Sequence, residues 1–340
     1  MRGFHFLMLF SAALLCGVCQ ARERDVALIR GTGGMREPDR PLRVVATLFP
    51  QYDFARAIGG GLVEVSMLQP PGADSHSYEP NPSDMARLAA ADLVLYAGDA
   101  MEPWAARIRE AVGGGGRNGA AKFFDVSKGI RLIEAEDSGH DHDRGENGHD
   151  GDDDRRADHG HSHSDDPHFW LDPLLAEIMA GNIAEALAKL ADRDGSVRTI
   201  MENAEHLASR LRRLHGECEA AVRRAGRTTL VFGGRFAFAY FFRRYGLDQV
   251  GVYDGCGPGV EPSVRRIVDV VRYVKDNAIP VVYHEELAEP RIARTIAEET
   301  GATPLMVHSL HNLSLEEFED GKTFMELMEA NLGAFMRGME

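Results

Sequence analysis

The sequence predicts an α/β protein of two lobes, each built on a parallel sheet and joined by one long helix, and three observations predict it. Strand-like apolar runs alternate with helical stripes from Leu42 to Val126. The same alternation returns from Thr229 to Met339. Between them, Val197, Ile200, Ala204, Leu207, Leu211, Leu214 and Cys218 recur at three- and four-residue spacing. That face defines a helix from Ser196 to Val222, roughly 40 Å long at 1.5 Å per residue. Strands alternating with helices indicate parallel βαβ units.

In order, Leu42 to Phe49 reads as a buried strand and Tyr52 to Ile58 as a short helix ended by Gly59-Gly60-Gly61. Val63 to Leu68 is a second strand. It runs into PPGADSHSYEPNP, Pro70 to Pro82, whose prolines and glycine forbid regular structure. Ser83 is expected to cap the next helix, followed by strand Asp92 to Tyr96, a helix from near Glu102-Pro103, and strand Lys122 to Val126. A helix follows Pro173, with Leu175, Ile178, Met179, Ile183, Leu187 and Leu190 as its stripe, and breaks at Asp192 to Gly195. After the long helix come strands at Thr229–Phe232, Gln249–Tyr253, Ile279–His284 and Pro304–Val307. Helices follow them at Phe236–Tyr245, Pro262–Asn277, Pro290–Thr300 and Thr323–Met339. The resulting division is a leader over 1–21, a first lobe over 42–195, a linking helix over 196–224 and a second lobe over 228–340.

Between the lobe's last strand and Pro173 lies a tract of histidine and aspartate. Seven of the fourteen histidines fall between Gly139 and Pro173: His140, His142, His149, His159, His161, His163 and His168. From Glu134 to Asp166 there are thirteen acids against three arginines, so ten of the chain's fifteen net negative charges sit there. Short His-rich tracts bind metal, and imidazole suits zinc, copper and nickel. Two plainer readings compete, a purification tag and a solvated acidic spacer, but tags are usually terminal and lack interleaved aspartates. Ser138 to Asp166 is therefore read as a surface loop that collects metal.

The net charge of −15 argues against nucleic acid or an anionic membrane as the main partner. Residues 1–21 have one arginine, an apolar run and a small-residue exit, the pattern of a secretory signal cleaved after Ala21. A lipid-anchored form at Cys16 or Cys19 is the alternative, disfavoured by the bulky Leu15 and Val18. The mature chain is then expected outside the cytoplasm, in the periplasm, with Cys218 and Cys256 available for a single disulfide.

Ligands in parallel α/β proteins bind beyond the carboxyl ends of the strands. The polar residues there are His76 after the second strand, His168 at the far edge of the tract, Gly233-Gly234-Arg235, Asp254 and Cys256, His284-Glu285-Glu286, then His308 and His311. If the lobes oppose each other, all face one cleft, and histidines from different loops make a divalent-metal site. His76 sits in a loop too rich in proline and glycine for core packing. His168 follows two aspartates that can orient its ring. One of His308 and His311 can simply cap or pack, and His284 is read as a strand-end residue. His206 and His215 are read as surface or packing residues of the long helix. The rival classes are a secreted zinc-dependent metalloenzyme and a metal-dependent adhesin. No HExxH, GxSxG or phosphate-binding glycine loop supports an enzyme.

PPGADSHSYEPNPSD, DPHFWLDP and YDGCGPGVEPS, with the histidine tract between the first two, resemble the zinc-type solute-binding proteins of bacterial metal ABC transporters, the ZnuA-like group with the TroA-type fold. The resemblance runs from Leu42 to the C-terminus. It implies a rigid linking helix, a metal buried between the lobes and delivery to a membrane permease. It also implies Zn2+ as cargo rather than cofactor, and carries His76 and His168 over as ligands. A monomer is expected. The family's third ligand position reads FGGRFAFAYFFRRYGL here, with Arg235 where a histidine would stand, and a guanidinium has no lone pair for zinc. The matching stretch for the fourth is VHSLHNLS, so His308, His311 or both are expected to complete the site, with Arg235 paired to Asp254 or Glu286. Three histidines favour Zn2+ over Mn2+. Binding is expected to weaken as pH falls through the histidine pKa values, and to be reduced by about pH 5.

Overall fold

The computed structural model describes residues 40–113, 122–134, 165–191, 193–253 and 261–340. The leader, the tract histidines from His140 to His163, Asp254 and Cys256 lie outside the described residues. Two four-stranded parallel sheets carry the architecture. The first has strands β1 (Leu42–Ala46), β2 (Val63–Met67), β3 (Leu93–Tyr96) and β4 (Lys122–Asp125), in the order β2-β1-β3-β4. A two-residue antiparallel pair, β5 (Ile133–Glu134) with β6 (Asp165–Asp166), brackets residues 135–164. The second sheet has β7 (Thr229–Phe232), β8 (Asp248–Gly251), β9 (Val281–His284) and β10 (Thr303–Met306), in the order β10-β9-β7-β8. Counting strands within each lobe, both sheets have the order 2-1-3-4.

The helices are α1 (Phe49–Gly59), α2 (Pro82–Ala90), α3 (Ala105–Gly113), α4 (Pro173–Ala188), α5 (Asp194–Arg223), α6 (Ala239–Tyr245), α7 (Val264–Asp276), α8 (Arg291–Thr300), α9 (Leu315–Glu319) and α10 (Phe324–Met339). The 30 residues of α5 span about 45 Å. Its apolar face packs on α1 and α4 of the first lobe and on α6 and α10 of the second. Among the described residues, no helix is long and apolar enough to cross a membrane.

Period-two alternation in the strands divides the apolar residues between cores. Val44, Leu93 and Leu95 of the first sheet, and Leu230, Phe232, Val281 and Tyr283 of the second, join one continuous core with α5. Val45, Val94 and Tyr96 face a separate cluster under α2 and α3. Val231 and Val282 face a third under α7 and α8. The two lobes thus share an interior while each keeps an outer layer of its own.

Several boundaries differ from the sequence expectation. Helix α2 is capped by Asn81, whose Oδ1 accepts from the Ser83 and Asp84 amides, while Pro82 takes the first helical position, where a missing N–H costs nothing. Helix α3 starts at Ala105, not at Glu102, because the Glu102 carboxyl folds back to accept from the Ala97 amide and meets Thr47. Helix α6 starts at Ala239, with Phe236 and Phe238 buried in the shared core ahead of it. The last two residues assigned to the acidic tract, Asp165 and Asp166, form β6.

Candidate metal centre

His76, His168 and His311 come together. Each offers a ring nitrogen, and the three lie within 4.8 Å of one another. His76 lies in the loop between β2 and α2, where its N–H donates to Asp74 Oδ1 at 3.0 Å. His168 follows β6, and a tight turn brings its amide and its Nδ1 onto the same oxygen, Asp166 Oδ1, at 2.8 and 2.7 Å. An imidazole that donates Nδ1–H to a carboxylate presents Nε2 as a lone pair. That Nε2 faces His76 Nε2 at 3.3 Å.

His311 reaches the cluster from the loop after β10. Its Nδ1 meets Ser309 Oγ, and Ser309 in turn bonds Glu286 through both its hydroxyl and its amide. The serine O–H donates to the carboxylate, so the serine oxygen accepts from His311 Nδ1–H. Nε2 is then free to ligate; it is buried and has no hydrogen-bond partner. Leu310, fully buried between these residues, holds φ +60, a conformation that costs a bulky residue roughly 1 kcal/mol or more. The loop is held from the other lobe. Asn312 Nδ2 donates to the Pro70 and Ala73 carbonyls, and the Gly72 amide to Leu313 O. Trp170 Nε1 donates to Ser309 O at 3.0 Å, with the indole against both His168 and His311.

His308 does not join this cluster. Its Nδ1 accepts the Leu310 N–H at 2.9 Å, which places the neutral ring's proton on Nε2, 3.5 Å from Glu317 Oε2. That separation is a close polar contact with no formed hydrogen bond. Burial depresses His308, but Glu286 and Glu317 outweigh it and its pKa is raised. The same contact holds Glu317 down to about 2. His311 is the opposite case: burial, then His168 and His76, push it well below the imidazole range. Burial and His168 bring His76 to about 4. His76 and His311 are therefore neutral at neutral pH, as ligands must be. His284 ends β9, with Nδ1 on the Glu285 carbonyl.

Arg235 does not pair with Glu286, and Asp254, the other expected partner, lies outside the described residues. Arg235 Nη1 lies 3.8 Å from Asp74 Oδ2, across the cleft in the first lobe, and its amide donates to Glu285 Oε2 at 2.9 Å. Glu286 is already engaged by Ser309. Gly233 and Gly234 allow this approach, since a Cβ on either would collide with Ala293 or with Glu285. Cys218 is buried and, among the described residues, forms no disulfide; Cys256, its expected partner, lies outside them. The serine relay and the tryptophan were missed by sequence reasoning; only the SxH spacing of Ser309 and His311 hinted at the relay.

A family model described as "Zinc-uptake complex component A periplasmic" matches residues 44–338. The chain is 33% identical over 293 residues to the Bacillus subtilis (strain 168) "High-affinity zinc uptake system protein ZnuA", covering 86% of each. It is 30% identical over 292 residues to a zinc-binding protein AdcA of Streptococcus pyogenes, covering 86% of this chain and 55% of that one, about half its length. Among solved structures, the Zn(II)-bound ZnuA-like domain of Streptococcus pneumoniae AdcA matches with TM-score 0.70 at 26% identity, over 88% of this chain and 99% of the other.

Proposed function

Since the chain belongs to the family of periplasmic zinc-uptake complex component A, we propose that it captures Zn2+ on His76, His168 and His311 and hands it to the membrane permease of an ABC-type importer. The observation that carries this is the convergence of three imidazoles from two lobes on one point. The family is one of solute-binding receptors, not of enzymes, and the ion is cargo. Nitrogen donors favour Zn2+ over Mn2+. His308 serves as a wall residue that fixes the loop beneath His311. The reading places the mature chain in the periplasm as a monomer, with lobes over 42–195 and 228–340 and the linking helix over 196–224.

Competition titration of Zn2+ against a chelator tests it. Replacing His76, His168 or His311 by alanine is expected to weaken binding more than about 100-fold, because structural zinc ligands together contribute on the order of 10 kcal/mol. His308→Ala is expected to change affinity by less than about tenfold, the lower end for residues that only support a ligand. Undiminished affinity in His311→Ala would sink the assignment.

A further inference from the structure

We propose that this centre takes its metal together with a small carboxylate-type anion, bicarbonate or the carboxylate of a metal chelate, which fills the fourth coordination position and is gripped by Arg235. The proposal rests on the zinc-capture reading above. Three imidazoles supply no negative charge, and tetrahedral Zn2+ needs a fourth donor. Among the described residues, no carboxylate belongs to the cluster of His76, His168 and His311.

The nearby acids are engaged elsewhere. Asp166 Oδ1 holds His168, Asp74 Oδ1 accepts the His76 amide, Glu285 Oε2 accepts the Arg235 amide, and Glu286 uses both oxygens on Ser309. A fixed cation stands beside the same rings. Arg235 meets Asp74 Oδ2, and the other oxygen of that carboxylate accepts the His76 amide. The guanidinium's contact with Asp74 is long, 3.8 Å, and its side chain is 32% exposed. Its planar set of five N–H donors matches a carboxylate. His311 Nε2, buried and unpartnered, marks the point where the metal sits. A divalent ion on neutral ligands beside an arginine leaves excess positive charge. A planar carboxylate offsets it by giving one oxygen to the metal and the other to the guanidinium.

The test measures zinc affinity of the full chain against a zinc-buffering chelator at constant ionic strength, adding bicarbonate, acetate or chloride. In the wild type, log apparent affinity is expected to rise with log bicarbonate or log acetate concentration, with a slope approaching about one once the anion exceeds its own dissociation constant. Comparing those two arms separates the inorganic from the organic source. Arg235→Gln is expected to need about tenfold more anion for the same gain, the usual loss for a charge-assisted hydrogen bond. The variant should also bind zinc more tightly in anion-free buffer, because a repelling charge is gone. Tight wild-type zinc binding that is indifferent to all three anions overturns the proposal and leaves the zinc reading standing. Absence of tight zinc binding overturns both. A response to chloride as large as that to bicarbonate and acetate overturns the carboxylate assignment. The wild-type titration decides these outcomes without any variant having to fold.

Discussion

The two sheets share one strand order, and in each lobe a carboxylate from the loop after the third strand crosses to the loop after the first. In the first lobe this is Glu102, which meets Thr47 Oγ1 and accepts from the Ala97 amide. In the second it is Glu285, which accepts from the Arg235 amide. Glu102 is sealed, and burial pushes it up to about 8. The local proton inventory agrees: Thr47 has one hydroxyl proton and two oxygen neighbours, Gln51 Oε1 and Glu102 Oε1. Gln51 Oε1 already accepts from the Leu48 amide, so a protonated Glu102 satisfies the trio. Glu285 is also raised by burial, but the Arg235 amide and guanidinium pull against that rise. Topology makes a crevice in each lobe. The first lobe closes its crevice with a neutral carboxyl and offers His76 from the next loop outward. The second keeps ions at its crevice and offers His311 from beyond its fourth strand.

The largest effects should separate His311 from His308, as set out for the alanine variants. Next come the groups that fix the rings, one from each side of the site. Asp166→Asn removes the charge, and Ser309→Ala the oxygen, of the acceptor that sets a tautomer, and each is expected to cost about 10–100-fold in zinc affinity by titration. A serine variant with wild-type affinity would show that the second lobe does not need its relay.

The pH profile sharpens the comparison further. His76 and His311 have depressed pKa values, so the native chain refuses protons that an unfolded chain accepts below about 6.5. Zinc affinity is therefore expected to fail as pH passes through about 4, where His76 takes up its proton. Folding stability declines over a wider window, as pH falls from about 6.5 to about 4. Glu102 works in the opposite sense. A carboxyl raised to about 8 stabilises the fold below its unfolded value of 4.5, and that contribution is lost as pH rises through 8. Thermal melts of Glu102→Gln should lack this alkaline loss, retaining a few degrees more than the wild type above about pH 8. The smallest effect is expected from deleting residues 138–164, with affinity changing less than about threefold, since β5 and β6 remain to hold Asp166 under His168. Extending the deletion through Asp166 should cost as much as Asp166→Asn.

Most elements were legible because strand alternation and the α5 stripe are local patterns, and both sheets appear where those patterns placed them. The place of His76 in the cluster was legible because its loop is too rich in proline and glycine for core packing. The rest was hidden by distance along the chain. Arg235 meets Asp74 from the other lobe, and Trp170 meets Ser309; no spacing rule reaches across such separations. His308 and His311 could not be told apart in sequence because both rings are buried, and only their partners, the Leu310 amide for one and the Ser309 hydroxyl for the other, separate them. Strands β5 and β6 were invisible because two residues each carry no periodicity.

The central claim is a metal held by three imidazoles drawn from both lobes. Zinc-edge X-ray absorption of the one-to-one zinc complex of the protein lacking residues 138–164 tests it most directly. The account predicts three imidazole ligands at about 2.0–2.1 Å, one oxygen ligand and no sulfur. Two or fewer imidazoles would contradict it.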